Sequence, residues 1–168
     1  MPESWGSWWV PDDRGQPRIA VDDRTYREGG HSVKIQNTDI LTPKEPGQGI
    51  RITLDHSIDE NRLKPNTDYL LTYYIKLEGV TPVCRGHQMG AFIYISTTDG
   101  EHTMLNECQY TGDIPWTKQG LRYKTPQAIG FKDGKLKPHL WFCLCNSKGT
   151  VWFDDVRLRE VEAGEGTK

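Results

Sequence analysis

The chain has 168 residues and a formal net charge of −2, a length that suits one domain with a substantial core. The slightly acidic balance disfavours a general nucleic-acid-binding protein, which would carry a basic patch. No apolar run approaches the ~20 residues that a membrane-spanning helix needs, and the four cysteines are too few for a disulfide scaffold and lack the spacing of zinc ligands.

Short runs of alternating apolar and polar residues, separated by glycine and proline, make up most of the chain. Helical periodicity is absent, so the pattern predicts an all-β protein, a β-sandwich of two antiparallel sheets. The predicted strands, in chain order, span residues 18–22, 32–37, 49–55, 69–78, 90–97, 104–110, 120–125, 138–145 and 150–160. The alternation is lost after Val161. We therefore expect one module over residues 1–160 and a linker or tail over residues 161–168.

Aromatic side chains recur on the face of three strands that points away from the core. In residues 49–55, 90–97 and 138–145 the aliphatic residues alternate, so the residues between them point outward. The outward set with binding chemistry is Arg51, Phe92, Tyr94, His139 and Trp141. Exposed aromatic residues beside hydrogen-bonding groups mark a binding surface. Two alternatives stay open: Trp141 belongs to a small second core beneath a loop, or Phe92 and Tyr94 form a stabilising cross-strand pair.

The last predicted strand contains two adjacent carboxylates within G-T-V-W-F-D-D-V-R-L, residues 149–158. Val156 and Leu158 are expected to face the core. Alternation then turns Asp154 inward with them and Asp155 toward solvent. A buried carboxylate needs a partner, and a calcium ion, which prefers oxygen ligands, is the expected one. The alternatives are an ion pair with an arginine and hydrogen bonds to loop amides.

Four segments of the chain carry strand motifs that belong together. They are G-G-H-S-V-K-I-Q-N (residues 29–37), D-Y-L-L-T-Y-Y-I-K-L-E (68–78), G-D-I-P-W-T-K-Q-G-L-R-Y-K-T-P (112–126) and the closing strand at 149–158. In this order they resemble jelly-roll carbohydrate-binding modules, namely the xylan- and β-glucan-binding modules of families 4, 9 and 22 that are appended to bacterial glycoside hydrolases. The chain departs from this family at its start, which does not match the N-G-x-F-E-like segment whose glutamate helps hold a cation.

The resemblance implies a particular division of the strands. One sheet takes 32–37, 150–158, 69–78 and 120–125, and the other takes 49–55, 138–145, 90–97 and 104–110. The outer face of the second sheet would bind a polysaccharide. Trp141 would stack on sugar rings there, while Tyr94, Arg51 and His139 contact the hydroxyl groups.

The resemblance also brings the loop of residues 22–31 next to the last strand. Its oxygens would then converge with Asp154 on a structural Ca²⁺. The expected loop ligands are the side chains of Asp22 and Glu28 and the backbone carbonyls of Gly29 and His31.

The implied function is non-catalytic polysaccharide binding that targets an appended glycoside hydrolase or lyase to its substrate. The ligand would be a β-glycan, neutral or acidic, and no nucleic acid or membrane is an expected partner. We expect a monomer that is part of a larger secreted bacterial enzyme, although the first residues lack the basic start and apolar stretch of a signal peptide. The enzymatic alternative is a jelly-roll polysaccharide lyase that uses Tyr94, His139 and Arg51 for β-elimination. A protein-interaction β-sandwich is the third hypothesis.

Overall fold

A computed structural model gives the fold of most of the chain. It describes residues 5–8, 19–38, 51–57, 63–83, 88–97, 104–105, 109–125 and 138–161. For residues 5–8, 51–57, 96–97, 104–105 and 138 it describes the backbone alone. None of these segments forms a helix of the length and apolar character that crossing a membrane requires.

The described residues form two five-stranded antiparallel sheets, so the prediction of an all-β sandwich is confirmed. The strands are β1 (Trp5–Trp8), β2 (Ile19–Asp22), β3 (Ser32–Asn37), β4 (Arg51–Ser57), β5 (Asp68–Pro82), β6 (Gly90–Thr97), β7 (Met104–Leu105), β8 (Gly112–Lys124), β9 (Pro138–Cys145) and β10 (Ser147–Glu160). Sheet A has the order β1-β4-β9-β6-β7, and sheet B has the order β2-β3-β10-β5-β8. The predicted division of the strands between two sheets is confirmed.

The boundaries of several strands differ from the prediction; β5 continues to Pro82 and β10 already begins at Ser147. Strand β1 was not predicted, because a short run rich in tryptophan and glycine has no readable alternation. Strand β8 begins at Gly112, well before the predicted start, because Pro115 and Lys118 interrupt the apolar pattern of this edge strand. Among the described residues of the predicted run 104–110, Met104–Leu105 is strand and Tyr110 forms an isolated bridge with Ala91.

The core lies between the two sheets and is built by alternation. Every second residue of β5 from Leu71 to Leu77 is buried, and these side chains pack with aliphatic and aromatic residues of β6, β9 and β10. Burying one such side chain contributes about 1.5–3 kcal/mol. The core therefore fixes which face of each strand points outward.

A single residue links the central strand of sheet A to the central strand of sheet B. Asn146, at φ 46°, is all that separates β9 from β10. The next residue, Ser147, accepts a hydrogen bond at its Oγ from the Gly90 amide (2.8 Å) and one at its carbonyl from Asn37 Nδ2 (2.8 Å). The two sheets are thus coupled through buried, hydrogen-bonded backbone at this end.

A β-bulge in β10 overturns the predicted orientation of Asp154. The register between β10 and β5 shifts after the pair Asp154–Tyr74, and Asp155 at φ 47° accommodates the extra residue. Tyr74 alternates with buried core residues of β5, so Asp154 lies on the outer face of sheet B. The prediction that it faces inward is wrong, because the alternation of Val156 and Leu158 does not extend back through the bulge. Its burial was predicted correctly.

Gly149→Ala is expected to destabilise the sandwich. Gly149 has φ +121°, and an added Cβ would lie 2.6 Å from the carbonyl oxygen of Gly79 and 2.7 Å from Val80 Cα. Strain of this kind costs about 1–3 kcal/mol, which urea denaturation would detect as a lower midpoint. Gly120→Ala is the control, because its Cβ would meet only ordinary contacts, the nearest at 3.7 Å. Equal midpoints for the two variants would contradict the account.

Candidate functional site

The outer face of sheet A carries a cluster of aromatic and cysteine side chains. Tyr94 is the register partner of Trp141, and Phe92 is the partner of Cys143. Together with Cys145 these residues form a hydrophobic cluster distinct from the main core. The prediction that Phe92, Tyr94 and Trp141 point away from the core is confirmed.

The predicted exposure of Phe92 and Tyr94 is wrong. Phe92 is 1% exposed and Tyr94 is 8% exposed, whereas Trp141 is half-buried. Trp141 and Tyr94 stack with centroids 5.7 Å apart and planes 6° apart. Phe92 follows at 6.1 Å from Tyr94. Phe92 and Tyr94 both belong to β6, so the predicted cross-strand pair between these two residues is wrong. The aromatic cross-strand pair on this face is Tyr94 with Trp141.

The accessible part of this face lies at the His139 end of β9. The His139 ring is 6.1 Å from Trp141, and both residues are half-buried. At the other end of the same strand face, Cys143 and Cys145 are buried. We call the series Phe92, Tyr94, Trp141 and His139 the aromatic ladder. Its half-buried members, Trp141 and His139, are the ones that a ligand can reach from solvent.

Arg51 belongs to the same sheet but lies away from the accessible end. It is the register partner of Cys145, whereas Trp141 is the partner of Asp55. Four residues of strand separate the two positions, which is about 13 Å. The Arg51 side chain lies outside the described residues, and its predicted role stays a prediction.

The predicted metal site places a buried carboxylate against backbone amides. Asp154 is 8% exposed. Its Oδ2 accepts hydrogen bonds from the amides of Arg27 (2.5 Å) and Glu28 (3.0 Å), and its Oδ1 accepts one from the amide of Asp155 (2.7 Å). The need for a partner was predicted correctly. The partners are those of the amide alternative.

Asp22 is a second carboxylate that accepts hydrogen bonds. Its Oδ1 accepts bonds from the amides of Arg24 (2.8 Å) and Thr25 (3.2 Å), and its Oδ2 accepts one from the indole Nε1 of Trp152 (2.8 Å). Burial alone would raise the pKa of Asp22. The hydrogen bonds from Trp152 and the two amides, with the positive charge of Lys34, outweigh it and lower the pKa.

The residues expected to bind calcium do not have the contacts of a calcium site. Calcium takes six to eight oxygen ligands, and the contacts of Asp154 and Asp22 described above are with N–H donors. Glu28 is 67% exposed, with its carboxylate 3.9 Å from Arg157, and Gly29 and His31 are exposed loop residues. Groups of three or more metal-binding side chains are absent from the described residues. The calcium hypothesis stays a prediction that these contacts do not support.

The outer face of sheet B contains a tryptophan whose role the sequence analysis missed. Trp152 is 4% exposed, because the lysines of the two neighbouring strands lie over its ring: Lys34 Nζ at 5.6 Å and Lys76 Nζ at 4.9 Å from the centroid. Lys76 also pairs with Glu78 at 2.7 Å. The sequence contained a signal for the position of Trp152: it alternates with the core residues Val151 and Phe153, and so has to lie on the outer face of the sheet. With two lysine ammonium groups over its ring and its indole N–H bonded to Asp22, Trp152 is part of the structure of sheet B.

Solved structures with the same fold were found by comparison. A module described as Family 16 Carbohydrate Binding Module-2 is 16% identical, covers 85% of this chain and 86% of its own, and has a TM-score of 0.55. The CBM22-1 xylan-binding domain of Paenibacillus barcinonensis Xyn10C is 15% identical over 98% of this chain and 90% of its own, at 0.54. An arabinose-bound α-L-arabinofuranosidase, MgGH51, is 13% identical over 94% of this chain but 23% of its own, at 0.58.

Comparison of the sequence with models of known protein families found no match. No curated protein matches it either. The structural likenesses, all of low identity, establish the fold. The chain has the jelly-roll β-sandwich fold of carbohydrate-binding modules, as its strand motifs implied.

Asp22→Asn is expected to make stability less sensitive to acid. The pKa of Asp22 in the folded state lies below its ordinary value of 3.8. Its stabilising contribution is therefore present above this pH and lost as the pH falls through the folded pKa. The difference in unfolding free energy between wild type and Asp22→Asn should shrink from about pH 6 to about pH 2 in urea titrations. The exposed neighbour Asp23, changed to Asn, is the control. A difference that stays constant over this range would contradict the prediction.

Proposed function

We propose that this chain is a non-catalytic polysaccharide-binding module whose site is the accessible end of the aromatic ladder. The observation that carries the proposal is the half-buried Trp141, held parallel to Tyr94 on the outer face of sheet A. The jelly-roll fold adds support, because similar structures are described as xylan-binding domains.

The chemistry of the ladder suits a pyranose ring. One face of such a ring carries C–H bonds, and the π face of an indole attracts their slightly positive hydrogens. The imidazole of His139, 6.1 Å from Trp141, can donate or accept a hydrogen bond at the hydroxyl rim. Because Tyr94 already fixes the orientation of the indole, little conformational freedom is lost when a sugar stacks on it.

The ligand is an extended β-glycan rather than a single sugar. If Arg51 contributes, its backbone position about 13 Å from the Trp141 row requires a ligand that spans several sugar units along sheet A. Xylan is the first polymer to test, and the β-glucans, mannans and acidic glycans are the comparison panel.

The module is proposed to act as a monomer within a larger secreted bacterial enzyme. A domain of this fold occupies 23% of the chain of the α-L-arabinofuranosidase, which supports such an arrangement. In that setting the module would raise the local concentration of the catalytic domain at its polymeric substrate.

Catalysis by Tyr94 is disfavoured by its position. A general acid or base must reach within hydrogen-bond distance of the proton that it transfers. Tyr94 is 8% exposed, and its ring is stacked against that of Trp141. The lyase alternative would need it to be accessible. A chain that forms unsaturated uronate products, detected by their ultraviolet absorbance, would establish the lyase instead.

Trp141→Ala is expected to weaken binding strongly while the fold is kept. Loss of an aromatic anchor at the centre of a site costs about 2 kcal/mol or more, which is about a 30-fold weaker Kd. Affinity gels over the polysaccharide panel, with circular dichroism to verify the fold, provide the measurement. Trp116→Ala, a half-buried tryptophan on β8 of sheet B, is the matched control. Retardation that Trp141→Ala leaves unchanged would place the site elsewhere, and no retardation on any polymer would favour a protein-interaction sandwich.

Tyr94 is expected to position the indole rather than to bind the sugar through its hydroxyl. Tyr94→Phe keeps the stacked ring and should bind within about 3-fold of wild type. Tyr94→Ala removes the support of Trp141 and should weaken binding more than Tyr94→Phe does, by up to about 10-fold, since aromatic pairs contribute about 0.5–1.5 kcal/mol beyond buried area. Calorimetric titration with the best polymer checks both. A large loss in Tyr94→Phe would assign the hydroxyl to ligand recognition.

A further inference from the structure

The loop between β2 and β3, residues 23–31, is held at both ends by hydrogen bonds with the residues that flank it. Its first turn is closed by Asp22, which accepts bonds from the amides of Arg24 and Thr25. Ser32 Oγ donates to the Thr25 carbonyl at 2.6 Å and ties the far end of the loop to the near one. The loop therefore has a defined conformation before any contact with β10 is counted.

The middle of the loop is held by β10. Asp154 Oδ2 accepts bonds from the consecutive amides of Arg27 and Glu28. Consecutive N–H groups that converge on one point form an anion-binding concavity, and here the anion is a carboxylate of the same chain. Bonds from N–H groups to an ionised carboxylate are about twice as strong as neutral ones.

The bulge supplies the third donor. The left-handed conformation of Asp155, at φ 47°, allows its own amide to donate to Asp154 Oδ1 at 2.7 Å. The guanidinium of Arg27 lies over the ring of Tyr74 at 5.1 Å, and Tyr74 is the register partner of Asp154. One carboxylate thus fixes both the bulge in β10 and the loop above it.

We propose that Asp154 locks the β2–β3 loop through the amides of Arg27 and Glu28 and the bulge through the amide of Asp155, and that the loop needs no metal ion. The resemblance implies a calcium ion beside Asp154, but the side chains expected to complete that site make other contacts. Asp22 accepts bonds from amides and an indole, and the Glu28 carboxylate is at the surface near Arg157. The amides of Arg27 and Glu28 provide at Asp154 the positive partial charge that a cation would otherwise provide.

The test compares wild type, Asp154→Asn and Asp155→Asn in excess calcium and in chelator. Asp155→Asn is the matched control, because it removes the same charge one residue away and asparagine tolerates the left-handed conformation. The Asp155 amide also remains available to Asp154. The measurements are the melting temperature, the metal content of the purified protein and the hydrogen exchange of the Arg27 and Glu28 amides.

Wild type is expected to melt at the same temperature in calcium and in chelator. Asp154→Asn should melt about 4 °C or more lower in both, because buried charged hydrogen bonds are lost, and its Arg27 and Glu28 amides should exchange at least 10-fold faster. Asp155→Asn should keep both amides protected.

A wild type that melts lower in chelator and recovers in calcium would overturn the proposal and establish a calcium site. Unchanged protection of the two amides in Asp154→Asn would overturn it as well. If Asp154→Asn fails to fold, the wild-type protein alone decides: loss of protection at Arg27 and Glu28 in chelator would contradict a metal-free lock.

Discussion

The constraint on which the candidate site depends is the alternation of β9, the central strand of sheet A. Its inner residues Leu140, Phe142 and Leu144 belong to the main core, and the residues between them have to lie on the outer face. Hydrogen-bonded pairing with β4 and β6 on both sides fixes the register. Trp141 cannot move to the other face of the sheet unless the core is rearranged. Its position on the outer face therefore follows from the packing of the sandwich. The short link to β10 extends this coupling to sheet B.

The tryptophans on the two outer faces of the sandwich differ in what contacts their rings. On sheet B, two lysine ammonium groups lie over Trp152 and its indole N–H is bonded to Asp22, and little of the ring is accessible. On sheet A, Trp141 stacks on another aromatic ring and stays half-buried. Because Trp141 stacks on Tyr94 and stays half-buried, the ladder is the better candidate for a sugar.

Alternation alone predicted the all-β class, and strand motifs predicted the division into two sheets. Both succeed because they rest on patterns that repeat over many residues. The sequence could not predict how deeply Phe92 and Tyr94 are buried, since alternation gives the face of a side chain but not what covers it. It also could not predict the bulge at Asp155, where a single left-handed residue reverses the parity. That reversal placed Asp154 on the outer face, against loop amides that no strand pattern can place.

The central claim, that Trp141 is the sugar platform, is tested most directly by following the indole N–H signals in NMR during titration with a xylo-oligosaccharide and the other glycans of the panel. With the best-binding glycan, the Trp141 signal should shift in a saturable way. The Trp152 signal should stay in place, because Trp152 lies on sheet B, the sheet opposite to that of Trp141, and its N–H is bonded to Asp22 of the same sheet. Saturable binding that shifts other indoles and leaves Trp141 unmoved would contradict the account.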